Sequence, residues 1–366
     1  MRRLGLSLIA GASFLFSGAC GEPPSAPPPA GLRAPELPPV PPLPEWPDDP
    51  PTPAKVALGT TLFFDVRLSG SGHSSCDSCH GRLTSFQDNL VTAIPDRSYP
   101  KDRPALGRNT LAFLNIVYAP VFRWDGSHTD LVDVMAFPFS EANMDLGIDV
   151  PAAQVKLRQR LTTDLPGYVA AFQGAYGVDL RTLDEKGVWR MAGRALAAFV
   201  RQAVSTSSPF DRWNAGDDSA MSASAVRGLA VFRGKGRCLG CHSGPFFTDF
   251  GFHNLSTSPP GPDGMRADEG RFLVTGKEAD RGKFLTPTLR GVYDSSPYFH
   301  DGSNFGLGGV LKHLSSPAVT RDPNHDPAFD QPIMLLDSDI DDLIDFLEAL
   351  RGAEDSSRIT PPTSYP

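Results

Sequence analysis

The sequence predicts a mostly α-helical protein made of two similar units that contain long loops. Apolar residues recur with helical spacing in two long stretches, whereas signals for β-strands are few and short. A motif of two cysteines and a histidine occurs twice, and each copy follows a similar apolar segment. With 366 residues, the chain is long enough for two domains of ordinary size.

The clearest helix lies between residues 188 and 200, where apolar residues recur at spacings of three and four. This spacing puts them on one face of a helix, which is the face that a globular protein buries. The residues of this stripe are Val188, Met191, Ala192, Ala195, Leu196, Phe199 and Val200.

A second helix is predicted near the C-terminus of the chain. Ser338 and Asp341 have the spacing of a helix start, and Gly352 is typical of a helix end. The apolar stripe between them, which we expect to be buried, consists of Ile340, Leu343, Ile344 and Leu347.

The two cysteine motifs are Cys76-x-x-Cys79-His80 and Cys238-x-x-Cys241-His242. Cysteines at this spacing add to the vinyl groups of haem, and the histidine that follows is held under the iron as its ligand. The alternative is a zinc site made of the four thiolates. Zinc does not require a histidine after each cysteine pair, so the sequence predicts two covalently bound haem c groups.

The segments that precede the two motifs are similar to each other. Leu58-Gly59 and Leu62-Phe63 lead to the first motif, and Arg227-Gly228-Leu229 and Val231-Phe232 lead to the second. We interpret the similarity as the duplication of one cytochrome c-like haem module.

The domain boundaries follow from these units. A junction is expected near residues 205–220, which are rich in Ser, Pro and Asp. The N-terminal domain is then residues 54–210, the C-terminal domain is residues 211–355, and residues 356–366 form a tail.

The first 20 residues have the pattern of an export signal. Arg2 and Arg3 precede an apolar run that is too short to cross a membrane, and Cys20 follows small residues. This ending resembles a bacterial lipoprotein signal, and a plain secretory signal is the alternative. We therefore expect a periplasmic protein anchored through a lipid on Cys20. The proline-rich residues 21–53 are expected to form an extended tether.

Charge and cysteine content limit the partners. The net charge is −8 and there is no dense Lys/Arg block, which disfavours nucleic acid and an anionic membrane surface as partners. An acidic surface suits a small cationic redox protein. Of the five cysteines, one lies in the signal and four in the motifs, so none remains for a disulfide.

From about residue 54 to residue 352, the chain resembles the bacterial diheme cytochrome c peroxidases and the related MauG group. Besides the two haem motifs in order, the matching landmarks are Leu68-Ser69, Arg108-Asn109-Thr110, Trp124-Asp125-Gly126, Thr286-Pro287-Thr288-Leu289-Arg290 and Pro297-Tyr298-Phe299-His300-Asp301-Gly302.

The resemblance implies that peroxide reacts at the N-terminal haem and that the C-terminal haem relays electrons. It puts Trp124 at the position of the tryptophan between the two haems. It also implies a calcium ion between the domains, held by the side chain of Asn109 and by the carbonyls of Ser295 and Pro297. Oxygen ligands of this kind suit Ca²⁺.

The sequence departs from the family near the first haem. Residues 81–108 contain no histidine, which resembles the MauG type with an open first haem. The family's glutamine and glutamate for proton transfer fall at Val134 and around Asn143-Met144. Glu141 is the nearest carboxylate, and we expect it to act as the acid–base group. The alternative is that Glu141 is an ordinary surface residue.

A third departure concerns the second haem. The family's sixth iron ligand, Met or Tyr, falls at Leu314, which cannot bind iron. The adjacent His313 is the substitute that the sequence offers.

Together these features predict an oxidoreductase that reduces hydrogen peroxide. Its electrons would come from a cytochrome c, a cupredoxin or a protein substrate, and would pass the second haem and Trp124. The alternative is a non-catalytic electron carrier or haem sensor, which the altered positions near both haems favour.

Overall fold

The computed structural model describes residues 33–101, 107–352 and 359–366. Within them, the α-helices are α1 (Pro53–Phe64), α2 (Leu131–Ala136), α3 (Val150–Gln159), α4 (Gly167–Tyr176), α5 (Glu185–Val200), α6 (Pro209–Asn214), α7 (Ala223–Arg233), α8 (Phe272–Thr275), α9 (Leu307–Leu314) and α10 (Asp337–Glu348). Strands β1 (Phe252–His253) and β2 (Phe284–Leu285) pair antiparallel, with Phe252 opposite Leu285. The prediction of a mostly helical fold is confirmed.

The apolar side chains form two large cores. Most buried residues of the first core lie between Leu58 and Ala203 and come mainly from α1 to α5. Most buried residues of the second lie between Phe210 and Leu350 and come mainly from α6, α7, α9 and α10. The chain passes from one core to the other between residues 203 and 210.

A close crossing of two helices lies at the centre of each core. A Cβ atom at Gly59 of α1 would overlap the carbonyl of Ala195 in α5. A Cβ atom at Gly228 of α7 would likewise overlap the carbonyl of Asp342 in α10. Only glycine allows the helix axes to approach so closely. The segments that are similar in sequence therefore lie on helices with the same packing role.

Both predicted helices are present. Every residue of the stripe predicted for α5 is buried. Helix α10 begins at Asp337, because the Asp339 carboxylate accepts a hydrogen bond from the Leu336 backbone N–H at 2.7 Å. The predicted helix start, with Ser338 and Asp341 as the capping pair, was therefore wrong. The helix ends at Glu348, before Gly352.

The described part of the proline-rich segment packs on the two cores. Ala34 and Leu37 are fully buried in the second core. The side chain of Asn214 accepts a hydrogen bond from the Ala34 N–H at 2.9 Å and donates one to the Leu37 carbonyl at 3.1 Å. Further along, Arg201 from the end of α5 lies 4.3 Å from the centre of the Trp46 ring. Residues 33–52 therefore contact both cores, which the prediction of an extended tether did not include.

The end of the chain also packs on the first core. Ile359 is buried there, and the Tyr365 hydroxyl donates a hydrogen bond to the Phe64 carbonyl at 3.2 Å. Residues 359–366 are thus part of the folded protein, in contrast to the predicted tail. The predicted signal and Cys20 lie outside the described residues.

Among the residues that the structure describes, no helix is both long and apolar enough to cross a membrane.

The packing of the proline-rich segment predicts a stabilising role for Leu37. Leu37→Ala should lower the free energy of unfolding by about 2–5 kcal/mol, because it opens a cavity in the second core. Denaturant unfolding followed by circular dichroism measures the change. Leu43→Ala is the matched control, since Leu43 is 43% exposed in the same segment, and it should change stability by less than about 0.5 kcal/mol. Equal effects of the two substitutions would contradict the assignment.

Candidate active site

Each cysteine motif folds as a single 3₁₀ turn, Cys76–Ser78 in the first and Cys238–Gly240 in the second. In both turns, the histidine backbone N–H donates to the carbonyl of the first cysteine at 2.8 Å. The two turns therefore present two thiols and an imidazole in the same arrangement.

A second hydrogen bond orients each imidazole ring. His80 Nδ1 donates to the Phe86 carbonyl at 2.9 Å, and His242 Nδ1 donates to the Phe247 carbonyl at 2.9 Å. Since a carbonyl can only accept, Nδ1 carries the proton and Nε2 is left as the metal-binding atom.

Both phenylalanines are fully buried and have positive φ angles, 64° for Phe86 and 52° for Phe247. This conformation is unfavourable for a bulky residue, so it persists only where packing imposes it. The Phe86 ring stacks on Phe113 with centroids 4.3 Å apart, and Phe247 contacts Phe210 edge to face at 5.2 Å. Aromatic packing thus holds the carbonyls that orient the two histidines.

Burial also sets the charge of these groups. Desolvation lowers the pKa of His80 and of His242, which keeps both rings neutral, as metal ligands must be. Desolvation raises the pKa of the Cys76 and Cys238 thiols to about 12. Both thiols are therefore protonated at neutral pH in the protein without haem.

Each motif forms part of the wall of a large cavity. The first cavity has a volume of about 730 Å³ and is lined by Cys79 and His80 together with Phe113, Phe122 and Met135. The second has a volume of about 250 Å³ and is lined by Cys238, Cys241 and His242 together with Leu311 and Leu314. Apolar walls with a free ring nitrogen, and with one motif thiol in the first cavity and two in the second, fit a covalently attached haem.

The zinc alternative does not fit this arrangement. Cys79 lines the first cavity, whereas Cys238 and Cys241 line the second, so the four thiols do not meet around one ion. Within the described ranges, the cluster of metal-binding side chains is Cys241, Asp249 and His253, which contains only one of the motif cysteines. The residues of both motifs fit haem instead.

Comparisons with known proteins agree with the geometry. A family model described as di-haem cytochrome c peroxidase matches residues 53–219. The methylamine utilization protein MauG of Methylorubrum extorquens is 35% identical over 305 residues, which cover 82% of this chain and 79% of the relative. This chain belongs to the diheme cytochrome c peroxidase and MauG family. It is therefore a diheme oxidoreductase, and the relatives favour an enzyme over the carrier or sensor alternative.

Two further comparisons are consistent with membership of this diheme peroxidase family. The cytochrome c551 peroxidase of Nitrosomonas europaea is 29% identical over 311 residues, which cover 84% of this chain and 83% of the relative. The crystal structure of a MauG-like protein associated with microbial copper homeostasis has a TM-score of 0.74 at 24% identity. It covers 89% of this chain and 97% of its own, and thus shows the same fold.

Trp124 lies between the two haem cavities of this diheme oxidoreductase. Its side chain contributes to the walls of both. The indole Nε1 donates to the Asn109 carbonyl at 2.9 Å, and the Trp124 carbonyl accepts from the Leu285 N–H at 2.8 Å. Contacts from both halves of the chain therefore hold the ring in place.

Arg108 forms two ion pairs beside the turn that carries Trp124. Arg108 contacts Asp125 and Asp268, each at 2.6 Å. Burial would raise the pKa of these two carboxyl groups, but their hydrogen bonds with Arg108 outweigh it and lower both pKa values. From the C-terminal half, Arg271 donates to the Asp125 carbonyl at 2.7 Å. These contacts join the two halves of the protein beside Trp124.

Glu141 lies in the wall of the first cavity, together with an arginine that the sequence analysis missed. Arg123 Nη2 donates to Glu141 Oε1 at 2.6 Å, and both side chains line the cavity. Arg123 itself has a φ of +73°, an unusual conformation for arginine. Its position directly before Trp124 was the signal that could have identified it.

Asn143 lines the same cavity. Its Nδ2 is 3.8 Å from Cys79 Sγ, and within the described part of the chain its buried Oδ1 has no hydrogen-bond partner. A buried polar oxygen without a partner is unfavourable unless a bound group satisfies it. Val134, at the family's glutamine position, contributes only an apolar surface.

His313, which was predicted to bind the second iron, uses its ring nitrogen Nε2 for a hydrogen bond in this structure. His313 Nε2 donates to the Leu255 carbonyl at 2.7 Å, whereas its neighbour Leu314 lines the second cavity. Successive residues of a helix differ in direction by about 100°, and of these two residues it is Leu314 that faces the cavity. His253 and His300 line this cavity instead.

The motif assignment predicts the number of covalent haems. A Cys76→Ser/Cys79→Ser variant should retain one haem after acid–acetone extraction, whereas the unchanged protein should retain two. The haem content per chain, from the pyridine haemochrome spectrum, measures the difference. The matched control is Cys238→Ser/Cys241→Ser, which should also retain one. Two covalent haems in either variant would contradict the assignment.

The Arg108 ion pair predicts a large effect on stability. Arg108→Gln leaves two largely buried carboxylates without their partner and should lower the free energy of unfolding by about 3 kcal/mol at pH 7. The pKa values of Asp125 and Asp268 are lowered by folding, so this contribution is complete above about pH 4 and is lost as the pH falls through their folded pKa values.

Denaturant unfolding of the Arg108→Gln variant at pH 7 and at pH 3 tests this prediction. Arg190→Gln is the control, because Arg190 is 58% exposed and pairs with Asp133 on the surface. That change should be below about 1 kcal/mol. An Arg108 effect of the same size at both pH values would exclude the ion pair as its cause.

Proposed function

We propose that this enzyme reduces hydrogen peroxide in the cavity beside His80, with electrons that arrive from the second haem. The reaction takes one peroxide, two electrons and two protons to two water molecules. The observation that carries the proposal is the Arg123–Glu141 ion pair in the wall of the cavity that also contains His80. Bound haem supplies the iron redox chemistry that cleaves the O–O bond.

We assign the proton transfer to Glu141. Cleavage of the O–O bond requires a group that takes the proton from one peroxide oxygen and delivers it to the other. Glu141 uses Oε1 for the contact with Arg123, and we assign Oε2 to the proton. The guanidinium of Arg123 adds a positive charge close to the oxygen on which negative charge develops.

Asn143 supports the same step by orientation. Its buried Oδ1 can accept a hydrogen bond from peroxide or from the leaving water. An amide does not take up a proton at neutral pH, so Asn143 cannot replace the family's glutamate as the acid–base group. We therefore assign the proton to Glu141 and the alignment of the substrate to Asn143.

We propose that electrons pass between the two cavities through Trp124. Its ring contributes to both walls, and the hydrogen bond to the Asn109 carbonyl holds it in one orientation. An aromatic ring between the two cavities can divide one long electron transfer into two shorter steps.

The electron donor is proposed to be a small redox protein. The name of the Nitrosomonas relative, cytochrome c551 peroxidase, supports a cytochrome as donor. The net charge of −8 favours a cationic partner of this kind. A cupredoxin or a protein substrate is the second option. Nucleic acid is not expected as a partner.

We propose that the protein acts in the periplasm and is anchored to the membrane through Cys20. The basic residues, the apolar run and the small residues before Cys20 support this proposal. Mass spectrometry of the N-terminal peptide from the native host tests it. A mature chain that begins at Cys20 with attached acyl groups is expected, and an unmodified Cys20 would contradict the anchor.

The ion pair in the cavity wall predicts the effect of changing Glu141. Glu141→Gln keeps the size and polarity of the side chain but cannot transfer the proton. The rate of peroxide consumption should fall by about 10²-fold or more, which is the usual contribution of a general acid–base group. Stopped-flow measurement at saturating electron donor gives this rate.

Glu278→Gln is the matched control, since Glu278 is paired with Arg281 at 2.6 Å on the surface outside the cavities. It should leave the rate unchanged. Both variants should contain two haems with unchanged absorption spectra. A Glu141→Gln variant as fast as the unchanged protein would show that this carboxylate does not carry the proton.

A further inference from the structure

Three side-chain amides meet where the two halves of the protein join. They belong to Gln87, Asn89 and Asn109, and Gln87 and Asn109 are almost completely buried. Gln87 Oε1 accepts a hydrogen bond from the Asn89 backbone N–H at 2.6 Å. This bond determines which end of the Gln87 amide is oxygen. The Nε2 group therefore faces Asn109 Oδ1 at 3.1 Å and the Pro297 carbonyl at 3.5 Å.

The amide of Asn109 is oriented in the same way. Its Nδ2 donates to the Leu90 carbonyl at 2.7 Å, so its Oδ1 is the atom that faces Gln87. The Gln87–Asn109 contact is thus a hydrogen bond between a donor and an acceptor whose identities are both set by other partners.

The oxygens that face Gln87 Nε2, Asn109 Oδ1 and the Pro297 carbonyl, are among those expected to bind calcium. Asn109, Ser295 and Pro297 all line one side of the second cavity, together with Gln87. However, Asn109 Oδ1 and the Pro297 carbonyl face the N–H group of Gln87. An N–H donor cannot coordinate a cation, because it turns a partial positive charge towards the site.

Nearby carboxylates are engaged with other groups. Asp88 Oδ2 accepts from the Thr110 hydroxyl at 2.8 Å, and Asp294 Oδ2 pairs with Arg351 at 2.7 Å. A calcium ion among these residues would have neutral oxygen ligands and an amide N–H close by. The residues present therefore do not fit a calcium ion in the manner expected from the sequence.

We propose that the side-chain amide of Gln87 takes the place of the calcium ion in this protein. It joins Asn109 to the carbonyl of Pro297 by hydrogen bonds instead of by coordination. Asn89 strengthens the same connection, because its Nδ2 donates to the carbonyls of Asp294 and Ser296, at 3.2 and 2.6 Å. The junction of the two halves is thus held without a metal ion.

Gln87 also acts on Trp124, as a positioning residue. The carbonyl of Asn109 accepts from Trp124 Nε1, and the Asn109 N–H donates to the His300 carbonyl at 2.6 Å. Because Gln87 holds the side chain of Asn109, it helps to hold the backbone on which the tryptophan ring rests.

The proposal predicts that the protein with both haems binds no calcium. After incubation with millimolar CaCl₂ and gel filtration, elemental analysis should find much less than one calcium per chain. The midpoint of thermal unfolding should differ by less than about 1 °C between CaCl₂ and EGTA, because no bound ion is there to stabilise the folded state. One calcium per chain, or a clear loss of stability in EGTA, would overturn the proposal.

A Gln87→Glu variant tests the position of the amide. It replaces the N–H donor by a carboxylate oxygen that faces Asn109 Oδ1 and the Pro297 carbonyl. The variant should bind one calcium per chain, and saturating calcium should raise its unfolding midpoint by roughly 5 °C. Gln173→Glu on the exposed side of α4 is the matched control, and calcium should not change its midpoint.

A Gln87→Glu variant that folds but binds no calcium would overturn the proposal. Its carboxylate would then not lie where a calcium ion could also contact Asn109 Oδ1 and the Pro297 carbonyl. If the variant does not fold, the calcium content of the unchanged protein still decides the question. None of these measurements involves peroxide, so they can fail or succeed independently of the proposed function.

Discussion

The hydrogen bond from each haem-motif histidine to the carbonyl of a buried phenylalanine is the constraint on which the rest of this structure depends. It fixes the proton on Nδ1 and directs Nε2 to the cavity. The carbonyl is available only because Phe86 and Phe247 adopt positive φ angles inside aromatic clusters. The cores are therefore needed for the chemistry as well as for stability.

The junction between the two halves contains polar contacts that meet around Trp124. On one side, Arg108 and Arg271 hold the turn that follows the ring through Asp125, Asp268 and backbone carbonyls. On the other side, Asn109 accepts from the indole and is held by Gln87. Charged groups on one side and neutral amides on the other thus hold the Trp124 ring between the two cavities.

The first cavity differs from the family pattern in a chemically consistent way. Where the sequence loses the expected glutamine and glutamate, it has Val134 and Asn143, and the charged groups come from Glu141 and Arg123. Glu141 lies two residues before Asn143 and is paired with Arg123. Its carboxylate can supply the proton transfer that the Asn143 amide cannot. The proposed peroxide chemistry thus depends on a pair of residues that are distant in sequence and adjacent in space.

The sequence by itself determined what is local. The cysteine motifs identify two haem sites because the thiols and the histidine lie within one turn of the backbone. The buried stripe of α5 was predictable because its apolar residues recur in the sequence with the helical period of 3.6 residues. The family landmarks led to the prediction that Trp124 lies between the haem sites, and the residue lines both cavities. Glu141 was predicted as the acid–base group, and it lines the cavity that contains His80.

Tertiary structure alone decided which partners meet. Whether His313 or Leu314 faces the second cavity depends on the rotation of α9 against its neighbours, which periodicity does not reveal. Leu37 lies in a proline-rich stretch that has no periodicity, and it is buried in the second core, where Asn214, distant in the sequence, binds the Ala34 N–H and the Leu37 carbonyl. Gln87 and Pro297 likewise meet only in the folded chain. Such contacts arise from packing between distant segments, and no local pattern of residues encodes them.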